Sequence, residues 1–290
     1  MPYDIPRKKG RLISLPALGF GTYQMGGQLQ RNPENDDARD VAGIRAAIAA
    51  GLCHLDTAEV YAGGHCEELV AEAITNTPRD RIFLTSKVHP SHLRHDDVLA
   101  ACRGSLRRLR VDYLDLYLIH GPNREVPLAE TMGALDELVQ QGLIRRVGVS
   151  NFDVPLLKEA QRHSRSGVAT NQIHYSLVAR AYEDNGTMEY CRAQGILVTA
   201  YRPIGKYGEL SRPGQRLLDD LAARYGRTPA QVAVNWVLRK ENVVALVKTS
   251  DPAHLAEDLG ALGWQLAEED AATLDRDFPR GTTINVPGVT

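Results

Sequence analysis

Apolar and polar positions along this chain alternate between two periods. From about residue 20 onward a short apolar run is followed by a polar turn, and then by apolar residues at helical spacing. Val41, Ile44 and Ile48 share one face of a predicted helix over 36–50, with Gly51 as its stop. The run 53–56 reads as a strand, 65–74 as a helix and 81–87 as a strand. Leu99, Cys102, Leu106 and Leu109 mark the next helix, and 113–120 the next strand. Pro127 opens a helix that Gly142 closes, in keeping with proline at the first turn and glycine beyond the last. The second half continues with strands at 145–151, 168–173, 196–201 and 243–248. Its helices are expected after an Asp153 cap, over 184–195, 214–225 and 228–240, and from Asp251 and Pro252 to Gly260. With a first strand ending near Gly21–Tyr23, eight strands alternate with helices.

Alternation of this kind implies parallel pairing. Strands that are apolar almost throughout are those buried on both faces. Eight such units in 290 residues predict a (β/α)8 TIM barrel filling the whole chain, 1–290, as a single domain. The segment RLISLPALG before the first strand is turn-like and predicts an N-terminal β-hairpin closing the barrel floor.

Composition narrows the classes. The chain is 43% hydrophobic and 24% charged, the profile of an ordinary folded protein. A net charge of -2 argues against nucleic acid or an anionic membrane surface as partner. The four cysteines, Cys53, Cys66, Cys102 and Cys191, are widely spaced and form no C-x-x-C pair. They read as free thiols of a reducing compartment. No apolar stretch approaches the roughly 18 residues of a membrane span, and the N-terminus lacks an apolar signal core, so the expected location is cytoplasmic.

In barrels the active site gathers at the C-terminal ends of the strands. The residues there are Asp56, Lys87, His120, Ser150 with Asn151, Gln172, Tyr201 and Lys248. Polar strand ends can simply meet solvent. An aspartate, a lysine and a histidine converging on one mouth point instead to chemistry. The segments LDTAEVYAGG at 55–64, TSKV at 85–88, LYLIHGP at 116–122, GVSNF at 148–152, NQIHY at 171–175 and AYRPIG at 200–205 carry the pattern further. In that order they resemble the motifs of the aldo-keto reductase superfamily, in its bacterial 2,5-diketo-gluconate reductase-like branch, over nearly the whole chain. The resemblance implies a carbonyl reductase using NADPH, with the tetrad Asp56, Tyr61, Lys87 and His120.

Physical chemistry agrees with that assignment. A phenol with a pKa near 10 is a weak acid at neutral pH, and a neighbouring ammonium lowers it. Lys87 can act so on Tyr61, Asp56 can keep Lys87 charged, and His120 can orient the carbonyl and steady developing negative charge. The G-x-G-x-x-G dinucleotide fingerprint is absent, which disfavours a Rossmann dehydrogenase.

By resemblance, Ser150, Asn151 and Gln172 hold the nicotinamide carboxamide and Tyr201 stacks on its ring. Asp56 touches the ribose, Gly21 and Thr22 approach the nicotinamide end, and Pro203, Ile204 and Gly205 line the pyrophosphate path. The segment 247–259 resembles the site for the 2′-phosphate and adenine, with Lys248, Thr249, Ser250, His254, Glu257 and Asp258. Lys248 favours NADPH. His254 in place of an arginine loses bidentate phosphate recognition, and Asp251 would repel a phosphate, which leaves NADH or dual use open.

Tyr23, His89, His120 and Gly121 are expected to form the substrate pocket. Gly121 stands where animal members often carry tryptophan, and His89 where an aromatic is common. Aromatic content of 6% points to an open, polar mouth for a small-molecule carbonyl, a keto sugar or a 2-oxoaldehyde, with the tail after Gly281 shaping selectivity. His89, His92 and His95 recur every third residue, yet no shell for a metal is completed, and none is expected. Arg103, Arg107, Arg108 and Arg110 read as a solvated helix face, and Trp236 and Trp264 as packing residues. A monomer is expected. The rivals are a coenzyme-binding barrel with a regulatory or structural role and no turnover, and a metal-dependent barrel hydrolase.

Overall fold

The structure, a computed structural model, describes residues 4–205 and 210–280. Strands β1 (Arg7–Lys9) and β2 (Ser14–Pro16) form the antiparallel N-terminal hairpin. The next eight strands close a parallel barrel in the order β10-β3-β4-β5-β6-β7-β8-β9. They are β3 (Leu18–Gly21), β4 (His54–Asp56), β5 (Phe83–Val88), β6 (Leu116–Ile119), β7 (Val147–Ser150), β8 (Thr170–His174), β9 (Leu197–Tyr201) and β10 (Val243–Val247). This is the (β/α)8 barrel the alternation predicts.

The hairpin seals the floor because its apolar residues meet the first inward-facing side chains of the strands. Leu15 packs with Leu197 and Val244, and Leu12 and Ile13 with Phe83, Leu116 and Ala169. Inside the barrel two glycines make room for neighbours. A Cβ at Gly148 would lie 2.3 Å from Leu118 Cδ2, and one at Gly19 would lie 2.6 Å from His54 Nδ1.

Several helices begin where a capping side chain stands. Asp36 caps α1 (Asp37–Ala49), Asp153 caps α5 (Val154–His163), Thr228 with Gln231 forms a capping box on α9 (Pro229–Leu238), and Asp251 caps α10 (Pro252–Leu259). Others are α2 (His65–Ile74), α3 (His95–Leu109), α4 (Leu128–Gln140) and α8 (Arg212–Tyr225). Pro127 occupies the N-cap of α4 rather than its first turn, and Gly142 follows it in the left-handed region at φ 74.

Three features depart from the sequence pattern. The helix expected over 184–195 starts only at Thr187, as α7 (Thr187–Gln194), after Gly186 turns left-handed at φ 78, and a short unforeseen helix α6 (Ala181–Asp184) precedes it. The strand expected over 113–120 shortens to β6 because Tyr113 is drawn out between Arg79 and Arg145, whose guanidinium carbons lie 4.0 and 3.9 Å from its ring centre. An unforeseen helix, α11 (Glu268–Asp277), packs back on the chain: the Arg180 guanidinium donates to Leu274 O and Asp275 O, and Trp236 Nε1 donates to Asp275 Oδ1 at 3.0 Å. Of the basic run, Arg108 turns inward and its Nε donates to the buried Glu67 at 2.7 Å. The tail expected to shape selectivity lies outside the described residues. Among those described, no helix is long and apolar enough to cross a membrane.

Candidate active site

Parallel strands deliver their last residues to one mouth. β4 ends on Asp56 and β5 carries Lys87. His120 follows β6, Ser150 ends β7, Gln172 lies in β8 and Tyr201 ends β9. Tyr61 comes from the 3-10 turn Tyr61–Gly64 after β4, whose Ala62 and Gly63 take left-handed angles of φ 51 and φ 64. The fold therefore joins all members of the expected tetrad, although they are 64 positions apart at the extremes, from Asp56 to His120.

Lys87 is the hub. Its side chain is 0% exposed, and Nζ donates to Asp56 Oδ1 at 2.5 Å, to Thr57 O at 2.8 Å and to Tyr61 Oη at 3.3 Å. The second carboxylate oxygen, Asp56 Oδ2, accepts from Gln172 Nε2 at 2.7 Å, and the backbone Asp56 O accepts from Thr22 Oγ1 at 3.0 Å. Burial alone would pull the ammonium of Lys87 down. Asp56 and Tyr61 outweigh it and hold the group above its ordinary range, so Lys87 stays charged.

The expected lowering of Tyr61 is corrected here. Burial pushes its phenol up to about 12, and the opposing pull of Lys87 is the smaller effect. The phenol is protonated at neutral pH. Its ring sits edge-on to Tyr23 at 5.1 Å and to His120 at 5.6 Å. Burial first, then the charges of Lys87 and His89, hold His120 well below the usual histidine range, so its imidazole is neutral.

A cavity of ≈ 930 Å³ opens over this group. One wall is a hydrogen-bonded row. Ser150 Oγ donates to Gln172 O at 2.8 Å, Asn151 Nδ2 donates to Ser150 Oγ at 3.1 Å, and Tyr201 Oη donates to Asn151 Oδ1 at 3.0 Å. Gly21, Thr22, Pro203, Ile204, Gly205 and Lys248 also line it.

Of the residues expected at the adenosine end, only Lys248 lines this cavity. Thr249 Oγ1 accepts from Asp251 N at 2.9 Å, and Ser250 Oγ donates to Asp40 Oδ1 at 2.7 Å, so both hydroxyls are engaged within the fold. The Asp251 carboxylate accepts from Ala253 N at 2.8 Å as the α10 cap. His254 is exposed and Glu257 half-buried. Asp258 is buried, and burial followed by the neighbouring Glu257 raises its carboxyl to about 7.

Of the expected substrate-pocket residues, Tyr23 and His120 line the cavity, whereas His89 and Gly121 do not. His89 Nδ1 pairs with Ser91 Oγ at 2.8 Å and its backbone N–H donates to Glu59 Oε1 at 2.7 Å. His92 also meets Glu59, and His95 meets Asp96 and Glu137. The sequence reading passed over His174 and Arg202, which both line the cavity. The signal for His174 was present. It stands two residues after Gln172 in one strand, and alternation puts the two on the same inward face.

The aldo/keto reductase family model matches residues 17–276. The methylglyoxal reductase YeaE of Escherichia coli K12 is 38% identical over 272 residues, covering 92% of each chain. The methylglyoxal reductase DkgB of Salmonella typhimurium is 31% identical, over 86% of this chain and 92% of its own. The solved structure of the thermostable aldo-keto reductase Tm1743 in complex with the inhibitor epalrestat superposes with a TM-score of 0.91 at 42% identity, covering 93% of this chain and 99% of that one. An aldo/keto reductase from Klebsiella pneumoniae, in complex with NADP and acetate, superposes at 0.84 with 37% identity, covering 97% and 98%. A parallel barrel with this mouth and a match across nearly all its length leaves one assignment: the chain is an oxidoreductase belonging to the aldo/keto reductase family.

Proposed function

We propose that this chain reduces 2-oxoaldehydes and other small polar carbonyls with a hydride from NADPH, using Tyr61 as the proton donor. The observation that carries the proposal is the buried Lys87 ammonium, held at 2.5 Å from Asp56 Oδ1 and 3.3 Å from Tyr61 Oη, behind the two residues that line the cavity.

The residues present fit a nicotinamide nucleotide. A carboxamide both donates and accepts, as do the hydroxyl and amides of Ser150, Asn151 and Gln172. Tyr201 offers a ring face, and Gly21 and Gly205 leave the wall without side chains there. Lys248 is exposed at the cavity edge with no acidic partner among the described residues, which suits a 2′-phosphate. The engaged Ser250 and Thr249 hydroxyls, the lone imidazole of His254 and the Asp251 charge weaken that end, so activity with NADH is the second cofactor reading. Glu257, half-buried, would face adenine, whereas Asp258 is buried and does not reach that surface.

When bound, the nucleotide supplies the hydride, which no side chain can. The chain's own part is to place the carbonyl and move a proton. His120, neutral, donates an N–H to the substrate oxygen and so orients the carbonyl. As the oxygen gains negative charge, Tyr61 Oη gives it a proton and the product is an alcohol. Lys87 receives the resulting phenolate as an ion pair, and Asp56 keeps Lys87 charged throughout.

The methylglyoxal reductases among the relatives favour a 2-oxoaldehyde; the mouth itself is more apolar than its composition led one to expect, because Leu29, Val60, Val178, Ile204, Leu210 and Val247 line it beside the polar groups. A keto sugar is the second class, supported by a likeness at 33% identity and TM-score 0.84 to a structure described as a putative 2,5-diketo-D-gluconic acid reductase B. A monomer is proposed.

The test is consumption of reduced nicotinamide, followed by absorbance, with methylglyoxal, keto sugars and bulky apolar ketones, and with NADPH against NADH. The expected result is consumption that needs both protein and carbonyl, fastest with methylglyoxal and NADPH. Faster turnover of bulky apolar ketones would overturn the substrate class. Tight NADPH binding without turnover of any carbonyl would instead support the non-catalytic barrel.

A further inference from the structure

β8 and β9 run side by side with His174 opposite Tyr201 in register. Strand alternation turns Thr170, Gln172 and His174 of one strand, and Leu197, Thr199 and Tyr201 of the other, toward the barrel axis. The rungs can be followed upward. Leu197 packs at the floor, the Thr170 and Thr199 hydroxyls meet at 2.9 Å, and Gln172 reaches Asp56. The top rung is an aromatic pair. The His174 and Tyr201 ring centres lie 5.4 Å apart with planes 11° from parallel, an offset stack.

Tyr201 is the last residue of its strand. Beyond it Arg202 enters the left-handed region at φ 53 and turns the chain aside, so the ladder does not continue past the ring. A long aromatic side chain at a strand terminus has several rotamers open to it unless neighbours remove them. Two contacts do so here: Oη is tied to Asn151 Oδ1 at 3.0 Å, and one ring face is covered by His174.

We infer that His174 is a positioning residue for coenzyme binding, its ring backing Tyr201 so that Tyr201 presents a fixed plane to the nicotinamide. The inference rests on the proposed coenzyme site and goes beyond it in assigning a second layer behind the stacking ring.

Two further observations support the role of the plane rather than of a polar bond. His174 Nδ1 is buried and has no hydrogen-bond partner among the described residues, an uncommon state for a buried nitrogen. The imidazole is also neutral: burial, then the Arg202 guanidinium, lowers its pKa to about 4. What the ring gives its surroundings is a flat, uncharged face.

The test is a fluorescence titration of NADPH and NADH into the wild type and into His174→Ala, His174→Phe and His174→Gln, with a thermal melt of each protein alone. Loss of one aromatic stack corresponds to about three- to tenfold in affinity. His174→Ala is expected to weaken both nucleotides by about that factor and to leave their ratio unchanged, because the contact lies at the nicotinamide end. His174→Phe should bind within about twofold of wild type, and His174→Gln as weakly as the alanine variant. A general loosening of the fold would lower the melting temperature and would not sort Phe from Gln. If His174→Ala does not fold, the Phe and Gln variants decide alone. The inference is overturned if His174→Ala binds like wild type, or if Gln restores binding and Phe does not. A wild type that binds neither nucleotide would overturn the coenzyme site itself.

Discussion

Replacing Tyr61 by phenylalanine removes a single oxygen from the centre of the site. The ring can stay where it is, since its edge contacts with Tyr23 at 5.1 Å and His120 at 5.6 Å do not involve the hydroxyl. Lys87 loses its 3.3 Å bond to Oη but keeps Asp56 Oδ1 at 2.5 Å and Thr57 O at 2.8 Å. Stability should therefore change by less than about 1 kcal/mol. Turnover should not survive. A positioned general acid contributes about 10²- to 10⁴-fold, or roughly 2.7 to 5.5 kcal/mol of barrier at 1.36 kcal/mol per decade. The assay is kcat and KM for methylglyoxal at saturating NADPH, beside NADPH affinity by fluorescence. The expected outcome is a fall of kcat by about two to four decades with NADPH affinity within about twofold. The wild-type pH profile belongs to the same test. A phenol pushed up to about 12 keeps its proton through the neutral range, so the rate of reduction should not fall between neutrality and about pH 9 from loss of this acid. A variant that keeps more than about a tenth of wild-type turnover, or loses nucleotide affinity in step with kcat, would refute Tyr61 as the acid.

Lys87→Met should be costlier to the fold, because it leaves the buried Asp56 carboxylate without its cation. The expected loss is about 3–5 kcal/mol, seen as a melting temperature lowered by roughly 2–4 °C per kcal/mol; a melt unchanged within about 2 °C would contradict the ion pair's place in the core. Lys248→Met should weaken NADPH by about 10- to 150-fold, the worth of a charge-assisted contact, while leaving NADH nearly unaffected. Equal losses for both would remove Lys248 from 2′-phosphate recognition. Asp258→Asn should stabilise the protein in mild alkali. With its carboxyl raised to about 7 in the fold against the ordinary value of 3.8, the protonated form is the one the fold favours. That contribution is complete below about pH 4 and is lost as pH rises through about 7. Asparagine keeps the shape without the charge, so its advantage should grow to at most about 4 kcal/mol by pH 8 and vanish near pH 4; thermal melts at the two pH values test it, and a pH-independent difference would count against the burial argument.

The barrel was legible because strands buried on both faces must be apolar throughout, and because Asp36, Asp153, Thr228 and Asp251 mark helix starts with a side chain that accepts from the first turn. α11 escaped notice for complementary reasons. Ala267 makes no side-chain cap bond, and the helix buries only Asp270, Ala271 and Leu274. A stripe that narrow produces little periodicity, and the eightfold repeat is already complete before it. The break at Gly186 escaped because the residues on either side of it keep helical composition; only the left-handed angle separates them.

The tetrad could be read because each strand end is a fixed address, and the chemistry of Asp, Lys, Tyr and His at those addresses is restrictive. Relations between distant segments were harder to see. Ser250 has the right chemistry for a phosphate, yet its hydroxyl is turned to Asp40, a partner 210 positions away. The direction of the Tyr61 shift failed for a related reason. A sequence shows that an ammonium will stand near a phenol but not how completely both will be enclosed. Enclosure opposes every charged form, that of Lys87 as well as that of phenolate. Lys87 escapes because Asp56 is also in contact, whereas Tyr61 has only the lysine to favour its anion and the same aspartate to oppose it. The lysine therefore does not make Tyr61 acidic in the resting site. Its effect is felt when the proton leaves, as the difference between a phenolate born beside an ammonium and one born without it. On that argument the rate depends on the Asp56–Lys87 pair, and a change that preserved Tyr61 but neutralised Lys87 should lower turnover by no more than removing the hydroxyl itself, because the lysine acts through Tyr61 Oη.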